Sequence, residues 1–386
     1  MEALDLQDLI QGGESSTVQF KRTVTDAHAI SQEIVAFANA KGGYIVIGVE
    51  DSTGDITGLT YREIQSVNNL LSNAATNNVI PQIKLFTETV GLQNGKKVVV
   101  VRIEEGDNKP YKDRNGAIWD KNGSDKRRVT SNEEIARLLQ SSKYMYADEM
   151  QVKGSTVSDI DNELFNVFLK TKYRSSPDIP GIPVNILLQN LNLADDDTLT
   201  LAGLLLFSNR RQKYRPQFSV QCVSVGGTDI TGNSFFDNEP AFEGALKNVF
   251  DQSIAFVERS IRKIPSGTSF NSLPVWEIPY EVFEELIVNA LIHRDYFINS
   301  TVKVFIFSNR IEIVNPGVLP NSLTVANIMN GISIQRNPVL QSLGQYILPY
   351  KGIGTGISRA LSNYAHIDFI NNAKKNEFRA IIKRPS

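Results

Sequence analysis

Cysteine is nearly missing. Cys222 stands alone, so no disulfide framework within the chain can hold the fold. It sits in the apolar run Val220 to Val225 and reads as a buried strand residue, not a nucleophile. Histidine is scarce as well: His28, His293 and His366 are all there are. No HxxxH or CxxC spacing occurs, so a zinc site is not expected. No apolar run approaches the roughly 18 residues that a membrane helix needs. The N-terminus lacks the charged start and apolar core of a signal peptide, so the cytoplasm is the expected location, without membrane contact. Charge of either sign is not in excess. A net charge of −2 and a pI near 6.0 exclude a wholesale polyanion binder, leaving nucleic-acid contact to local patches. There is no GxxxxGK[ST] loop, no internal repeat and no low-complexity tract.

What remains is a chain of 386 residues, 41% hydrophobic, with a mean hydropathy of −0.19. That is long enough for two or three domains, each with its own core.

Three motifs stand in order near the C-terminus. Glu285 and Asn289 are spaced i, i+4, which puts both on one helix face. A carboxylate there can activate a water, and an amide oxygen beside it can ligate Mg²⁺. Asn315-Pro316-Gly317 follows the alternating strand Arg310 to Val314. Gly352-Ile353-Gly354-Thr355-Gly356 then runs into a helix over Ile357 to Tyr364. Glycines before a helix N-terminus let backbone N–H groups close on a phosphate. Two antiparallel strands, His366 to Asn371 and Glu377 to Lys383, follow.

This order resembles the ATP-binding domain of the GHKL superfamily. With His293-Arg294-Asp295-Tyr296, it looks most like the divergent ATPase domain of RecG-related helicases or transcriptional regulators. The resemblance covers roughly residues 270 to 386. It implies ATP and Mg²⁺ as cofactors, Glu285 as general base, Asn289 as metal ligand, and Gly352, Gly354 and Gly356 as the phosphate loop. Asn315 and Gly317 would belong to the base-reading strand end. Asn315 stands where most of the superfamily has an Asp that reads the adenine amino group, and an amide lacks that charge. Val318 to Leu348 would be the lid, and Arg336 could reach a phosphate from it or hold the lid by an ion pair. The HRDY tetrad reads mainly as structural. GHKL relatives often dimerise, so a homodimer is the expected assembly. Longer relatives continue into a winged helix. The sequence stops at Ser386, so that DNA-reading module is not expected.

A second block opens the chain: Glu14-Ser-Ser-Thr-Val-Gln19-Phe20-Lys21, a helix over Ala27 to Asn39, a Gly42-Gly43 stop, and the buried-strand run Tyr44 to Val49. A turn through Asp51 and Gly54 leads into an expected short strand, Ile56 to Leu59. This block resembles the Schlafen AlbA-type domain over about residues 8 to 140. Nuclease-competent relatives hold metal with acids. Glu14 and Glu50 or Asp51 match two of these, but the position five beyond Glu14 is Gln19, and a neutral amide weakens such a cluster.

The segment 109–128 carries Lys109, Lys112, Arg114, Lys121, Lys126, Arg127 and Arg128, with Tyr111 and Trp119 between them. Charges can track phosphates and rings can stack bases, DNA or RNA; a solvated loop is the other reading. Lys21 joins this candidate nucleic-acid surface. Ser131, with Glu134 three residues on, caps a helix to Leu139.

Between the blocks, 141–155 reads as linker. Asp159 to Lys170, Val184 to Leu191 and Leu199 to Phe207 read as helices, the last two as a helix-turn-helix or a packing module. Pro180-Gly181 breaks the chain. Arg210, Arg211, Lys213 and Arg215 form a second basic cluster or an ordinary loop. Phe218 to Val225 is a strand, and Glu239 to Ile264 a long amphipathic helix. The expected architecture is α/β (α+β): an AlbA-type α/β domain over 8–140, a helical and strand connector over 141–265, and a GHKL-type α/β sandwich over 266–386. The expected function is that of an ATP-binding regulator associated with nucleic acid, with an inactive ATPase scaffold or a metal-dependent ribonuclease as the other readings.

Overall fold

The computed structural model describes residues 3–51, 53–92, 95–142, 144–174, 182–230, 235–265, 273–320, 323–352 and 354–385. The Pro180-Gly181 break and Ile353 lie outside these residues. The chain divides into two units, Met1–Met145 and Tyr146–Ser386. Among the described residues no helix is long and apolar enough to cross a membrane.

The first unit runs α1 (Ala3–Gln11), β1 (Val18–Lys21), α2 (Ala27–Asn39), β2 (Gly43–Ile47), α3 (Tyr61–Asn73), β3 (Val79–Ile80), β4 (Phe86–Gly91), β5 (Lys97–Ile103), β6 (Lys112–Asp113), β7 (Ile118–Asn122), β8 (Asp125–Val129) and α4 (Asn132–Ser141). Its sheet has the order β1-β2-β5-β4, with β1 parallel to β2 and the rest antiparallel. Both faces of the sheet are covered, which is why β2 and β5 read as unbroken apolar runs. Ile45, Ile47, Val99 and Val101 pack toward Ile34 and Phe37 of α2 and Val67 of α3. Val46, Val98 and Val100 pack toward Leu6 of α1 and Phe20.

Helix α2 starts where Asp26 accepts from the His28 and Ala29 amides, and stops before Gly42 at φ 71°. At its end, buried Asn39 donates to the carbonyls of Tyr111 and Trp119 and accepts from the Tyr111 amide. That one amide pins the β6–β7 segment to the helix. Ser131 caps α4 through the Glu134 amide, as expected. The strand expected over Ile56 to Leu59 reduces to one bridge, Val49 to Ile56. Gly58 at φ 74° turns the backbone away before a ladder can extend.

The second unit runs α5 (Asn162–Tyr173), α6 (Val184–Asn190), β9 (Ala194–Asp195), β10 (Thr198–Leu199), α7 (Leu201–Phe207), α8 (Arg211–Tyr214), β11 (Val220–Val225), β12 (Phe235–Glu239), α9 (Leu246–Ser260), β13 (Lys263–Pro265), β14 (Pro274–Trp276), α10 (Tyr280–Ile292), β15 (Val302–Ile306), β16 (Arg310–Pro316), α11 (Val325–Met329), α12 (Pro338–Gly344), α13 (Gly356–Asn363), β17 (Ile367–Asn372) and β18 (Glu377–Lys383). The main sheet has the order β12-β11-β15-β16-β18-β17. Among the described residues its one parallel pair is β11 with β15. Strands from 220–239, inside the segment expected as connector, thus belong to the same sheet as β15 to β18. One apolar core unites α5, α7, α9, α10 and α12 with the inward side chains of this sheet.

The long helix expected from Glu239 begins only at Leu246. Glu239 ends β12, Pro240 cannot continue a helix, and Gly244 adopts φ 92°. Every residue of α7 is buried, so it has no face to lay in a DNA groove and serves as packing. Arg211 of the second basic cluster is also buried, donating to the carbonyls of Gly244 and Phe242. Asp148, fully buried, accepts from the Leu340 amide at the start of α12, at 2.9 Å. Burial pushes its carboxyl up to about 7.

Candidate functional site

Helix α10 is apolar over most of its surface, and Val282, Phe283, Leu286, Ile287 and Val288 anchor it in the core. Glu285 is the buried exception, and with Asn289 it faces a cleft. The same cleft is lined by Asn315, Gly317, Arg336, Gly352, Gly354 and Gly356. All the residues expected from the three motifs and the lid therefore meet in one place, although 71 positions separate Glu285 from Gly356 in the sequence.

Their contacts differ. Glu285 Oε1 lies 2.6 Å from Arg359 Nη2, one turn into α13. Burial raises the Glu285 carboxyl, while Arg359 and Lys351 pull it back down. Gly356 begins α13 directly above this pair: a Cβ there would stand 2.7 Å from Glu285 Oε2 and 3.0 Å from Asn289 Nδ2. A side chain at this position would push the ends of Glu285 and Asn289 aside. Gly352 and Gly354 have φ of 68° and 75°.

Asn315 is opposite Phe378 in the β16–β18 ladder. The residue is 8% exposed, and its Oδ1 has no hydrogen-bond partner among the described residues. Gly317, at φ 95°, turns the chain beside Asp295, whose Cβ would be 2.5 Å from a Cβ on Gly317. Arg336 is buried and donates to the Val318 carbonyl at 2.8 Å and the His293 carbonyl at 3.4 Å.

The tetrad after α10 closes the helix. Arg294 lies over the rings of Phe218 and Tyr296 and donates to the carbonyls of Ile298 and Ser300. His293 Nε2 is 3.1 Å from the Tyr350 hydroxyl, which accepts from Gln341 Nε2 at 3.1 Å. Nε2 accepts from the Tyr350 hydroxyl when the imidazole proton is on Nδ1 and donates to it in the other tautomer. Burial, with Arg336 nearby, lowers the His293 pKa to about 4, so the ring is neutral at pH 7.

Sequence reasoning missed Arg359, Lys351 and Tyr350. Arg359 had a signal, since it lies one helical turn after Gly356. Tyr350 had none.

In the first unit, Glu14 Oε1 accepts from Gln19 Nε2 at 2.5 Å and from the Phe20 amide at 2.8 Å. Gln19 Oε1 accepts from Lys121 Nζ at 2.8 Å. Lys121 also lies 4.7 Å over the Phe37 ring. Asp51 is ion-paired with Lys21, and Glu50 lies 4.0 Å from Arg22. Among the described residues no group of three or more His, Cys, Asp or Glu side chains is arranged to hold a metal ion.

The basic segment forms β6, β7 and β8, not a solvated loop. Lys109 and Tyr111 are buried, which removes Tyr111 from any stacking role. Trp119 turns its Nε1–H to Asp113 at 2.9 Å. Lys126 pairs with Glu33 at 2.7 Å and Arg127 with Glu134 at 2.5 Å. Lys112, Arg114 and Arg128 are exposed. Glu33 pairs with Lys126 through Oε1, while its Oε2 is buried without a hydrogen-bond partner among the described residues.

The family model "Schlafen, AlbA_2" matches residues 14–130, and the model "Putative ATP-dependent DNA helicase recG C-terminal" matches residues 299–382. No curated protein matches the chain. Among solved structures, a Corynebacterium diphtheriae protein is 19% identical, over 99% of this chain and 80% of that one, with a TM-score of 0.48. The N-terminal domain of a RecG-related protein from Nitrosomonas europaea is 26% identical, over 34% of this chain and 96% of that one, with a TM-score of 0.25. With the two family-model matches and the motif order, the chain carries an N-terminal Schlafen AlbA_2 domain and a C-terminal HATPase_c-type, GHKL-like domain of the nucleotide-binding ATPase-like superfamily.

Proposed function

We propose that the second unit binds Mg²⁺–ATP and that binding changes how the first unit engages nucleic acid, so that the protein acts as a nucleotide-dependent regulator. The observation that carries this reading is the meeting of Glu285, Asn289, Asn315, Gly317, Arg336 and the three loop glycines in one cleft. The donor set suits the ligand. Mg²⁺ takes few protein ligands and completes its shell with phosphates and water, so the Asn289 amide oxygen is sufficient. When bound, the ion neutralises phosphate charge. Glycines at positive φ free backbone N–H groups for the phosphates, and the N-terminus of α13 favours negative charge. The unpartnered Asn315 oxygen supplies an acceptor for a base. Glu285 is the base for any water attack, and its ion pair with Arg359 makes turnover slow.

Calorimetric titration of the full chain with Mg²⁺–ATP, alongside Asn289→Ala, tests this. Micromolar or tighter binding that the variant loses is expected. A folded chain that binds no nucleotide would reduce the second unit to a scaffold.

The same Glu285–Arg359 pair favours a second reading, binding without turnover, in which the domain is a nucleotide-responsive scaffold. Metal-dependent RNA cleavage through Glu14 and Asp51 is disfavoured by Lys21 on Asp51 and by the neutral Gln19 on Glu14. Mn²⁺-dependent RNA cleavage that disappears in Glu14→Ala would reinstate it. For the first unit, Lys112, Arg114 and Arg128 are the exposed members of the candidate nucleic-acid surface, while Lys21, Lys126 and Arg127 carry ion partners.

A further inference from the structure

The part of the cleft that the sheet supplies is chemically simple. It consists of Ile313 and Asn315 from β16, Phe369 from β17, and Phe378 and Ala380 from β18. Ile313 lies opposite Ala380 and Asn315 opposite Phe378. The rings of Phe369 and Phe378 are 5.9 Å apart and only 16° from parallel. This is an apolar floor suited to the face of a heteroaromatic ring, and Asn315 is its one polar side chain.

The Asn315 oxygen is buried and, among the described residues, unpartnered. Leaving such an oxygen without a donor costs on the order of 1–3 kcal/mol, so a ligand that supplies one is favoured. The group is an amide, however, and not a carboxylate. A carboxylate can only accept, and it repels a carbonyl oxygen. An amide carries an acceptor and a donor of nearly the same shape, and rotation of the end group exchanges them. It can accept from an exocyclic amino group, or turn and donate to an exocyclic carbonyl.

We propose that this pocket takes purine nucleotides of both kinds, 6-amino and 6-oxo, with Asn315 as the residue that sets this tolerance. The proposal rests on the nucleotide-binding reading above and adds the substrate range to it. No other polar side chain of the floor is placed to enforce a choice.

The test is a pair of calorimetric titrations of the full chain, with Mg²⁺–ATP and with Mg²⁺–GTP. Dissociation constants within about tenfold of one another are expected, since no obligate donor or acceptor excludes either base. A gap wider than about tenfold in favour of either nucleotide would overturn the proposal while leaving nucleotide binding intact. Failure of both nucleotides to bind a folded chain would overturn the nucleotide reading itself. Asn315→Asp, checked by circular dichroism for an unchanged fold, adds a second arm. It should weaken GTP by about tenfold or more and keep ATP, because a site built for one partner rejects a group that leaves it unpaired. Equal weakening of both would assign the tolerance to something other than Asn315.

Discussion

Arg359 Nη2 stands 2.6 Å from Glu285 Oε1, so the carboxylate at the bottom of the cleft is tied to the helix that follows the glycine loop. The pair couples the expected base to the expected phosphate loop. It also makes the loop's position sensitive to the charge on one acid.

Replacing that arginine tests the coupling. In Arg359→Ala, Glu285 keeps its burial and loses its nearest cation, so its carboxyl rises further. A carboxyl raised above its unfolded value makes its most favourable contribution at low pH and loses it as pH rises through the folded pKa. The variant should therefore be less stable than the parent by ~1–2 kcal/mol at pH 8, a discounted value because Arg359 is partly exposed. The gap should narrow as Glu285 protonates. Urea melts at pH 8 and pH 4.5 measure it; a gap independent of pH would refute the pairing.

Gly356 is predicted to accept a side chain only if the Glu285 carboxylate and the Asn289 amide give way. Gly356→Ala places a methyl group against Glu285 and Asn289 and should weaken Mg²⁺–ATP binding by at least about tenfold, or ~1.4 kcal/mol. Unaltered affinity, measured by calorimetry, would mean that the helix start does not close over the ligand.

Asp148 offers a separate pH test. Its pKa is about 7 in the folded chain against an ordinary value of 3.8. Its ionisation opposes folding, and the loss grows from about pH 4 and levels off above about pH 7. Asn keeps an oxygen for the Leu340 amide and removes the charge. Asp148→Asn should thus melt higher than the parent at pH 8, and the two should converge below about pH 4. Thermal scans across that range decide it; a variant less stable at pH 8 would show that the carboxylate is favourably held.

On the first unit, Arg114 and Arg128 are exposed on the segment expected to meet nucleic acid. If they touch phosphates of a duplex, replacing both with Ala should reduce the slope of log K against log salt by about 1.8. Fluorescence anisotropy at several salt concentrations measures this, and an unchanged slope would move the contact elsewhere.

Much of this was legible in the sequence, and the exceptions share a cause. Helix α2, capped α4 and the β17–β18 pair follow from local chemistry: an Asp or Ser cap, a glycine stop, alternation around a polar turn. The cleft was legible because its residue types and spacings are themselves local. Long-range burial was not. Tyr111 looked like a stacking ring among basic residues, yet Asn39, 72 positions away, binds its backbone in the interior. Arg211 looked like part of a basic surface and is fully buried beneath Gly244. The break that Pro240 makes was readable in the sequence, and the apolar period that resumes at Leu246 outweighed it.

The parallel pairing of β11 with β15 has a practical consequence for dissecting the molecule. Val220 to Ser224 run beside Val302 to Ile306, and among the described residues after 266 no strand pairs with that side of β15. A fragment beginning near residue 266 would contain every cleft motif and still expose the amides and carbonyls along one side of β15. Such a bare, apolar strand edge invites pairing with a neighbouring chain. Fragments cut there should precipitate or form soluble aggregates, whereas one beginning at residue 146 keeps the edge covered.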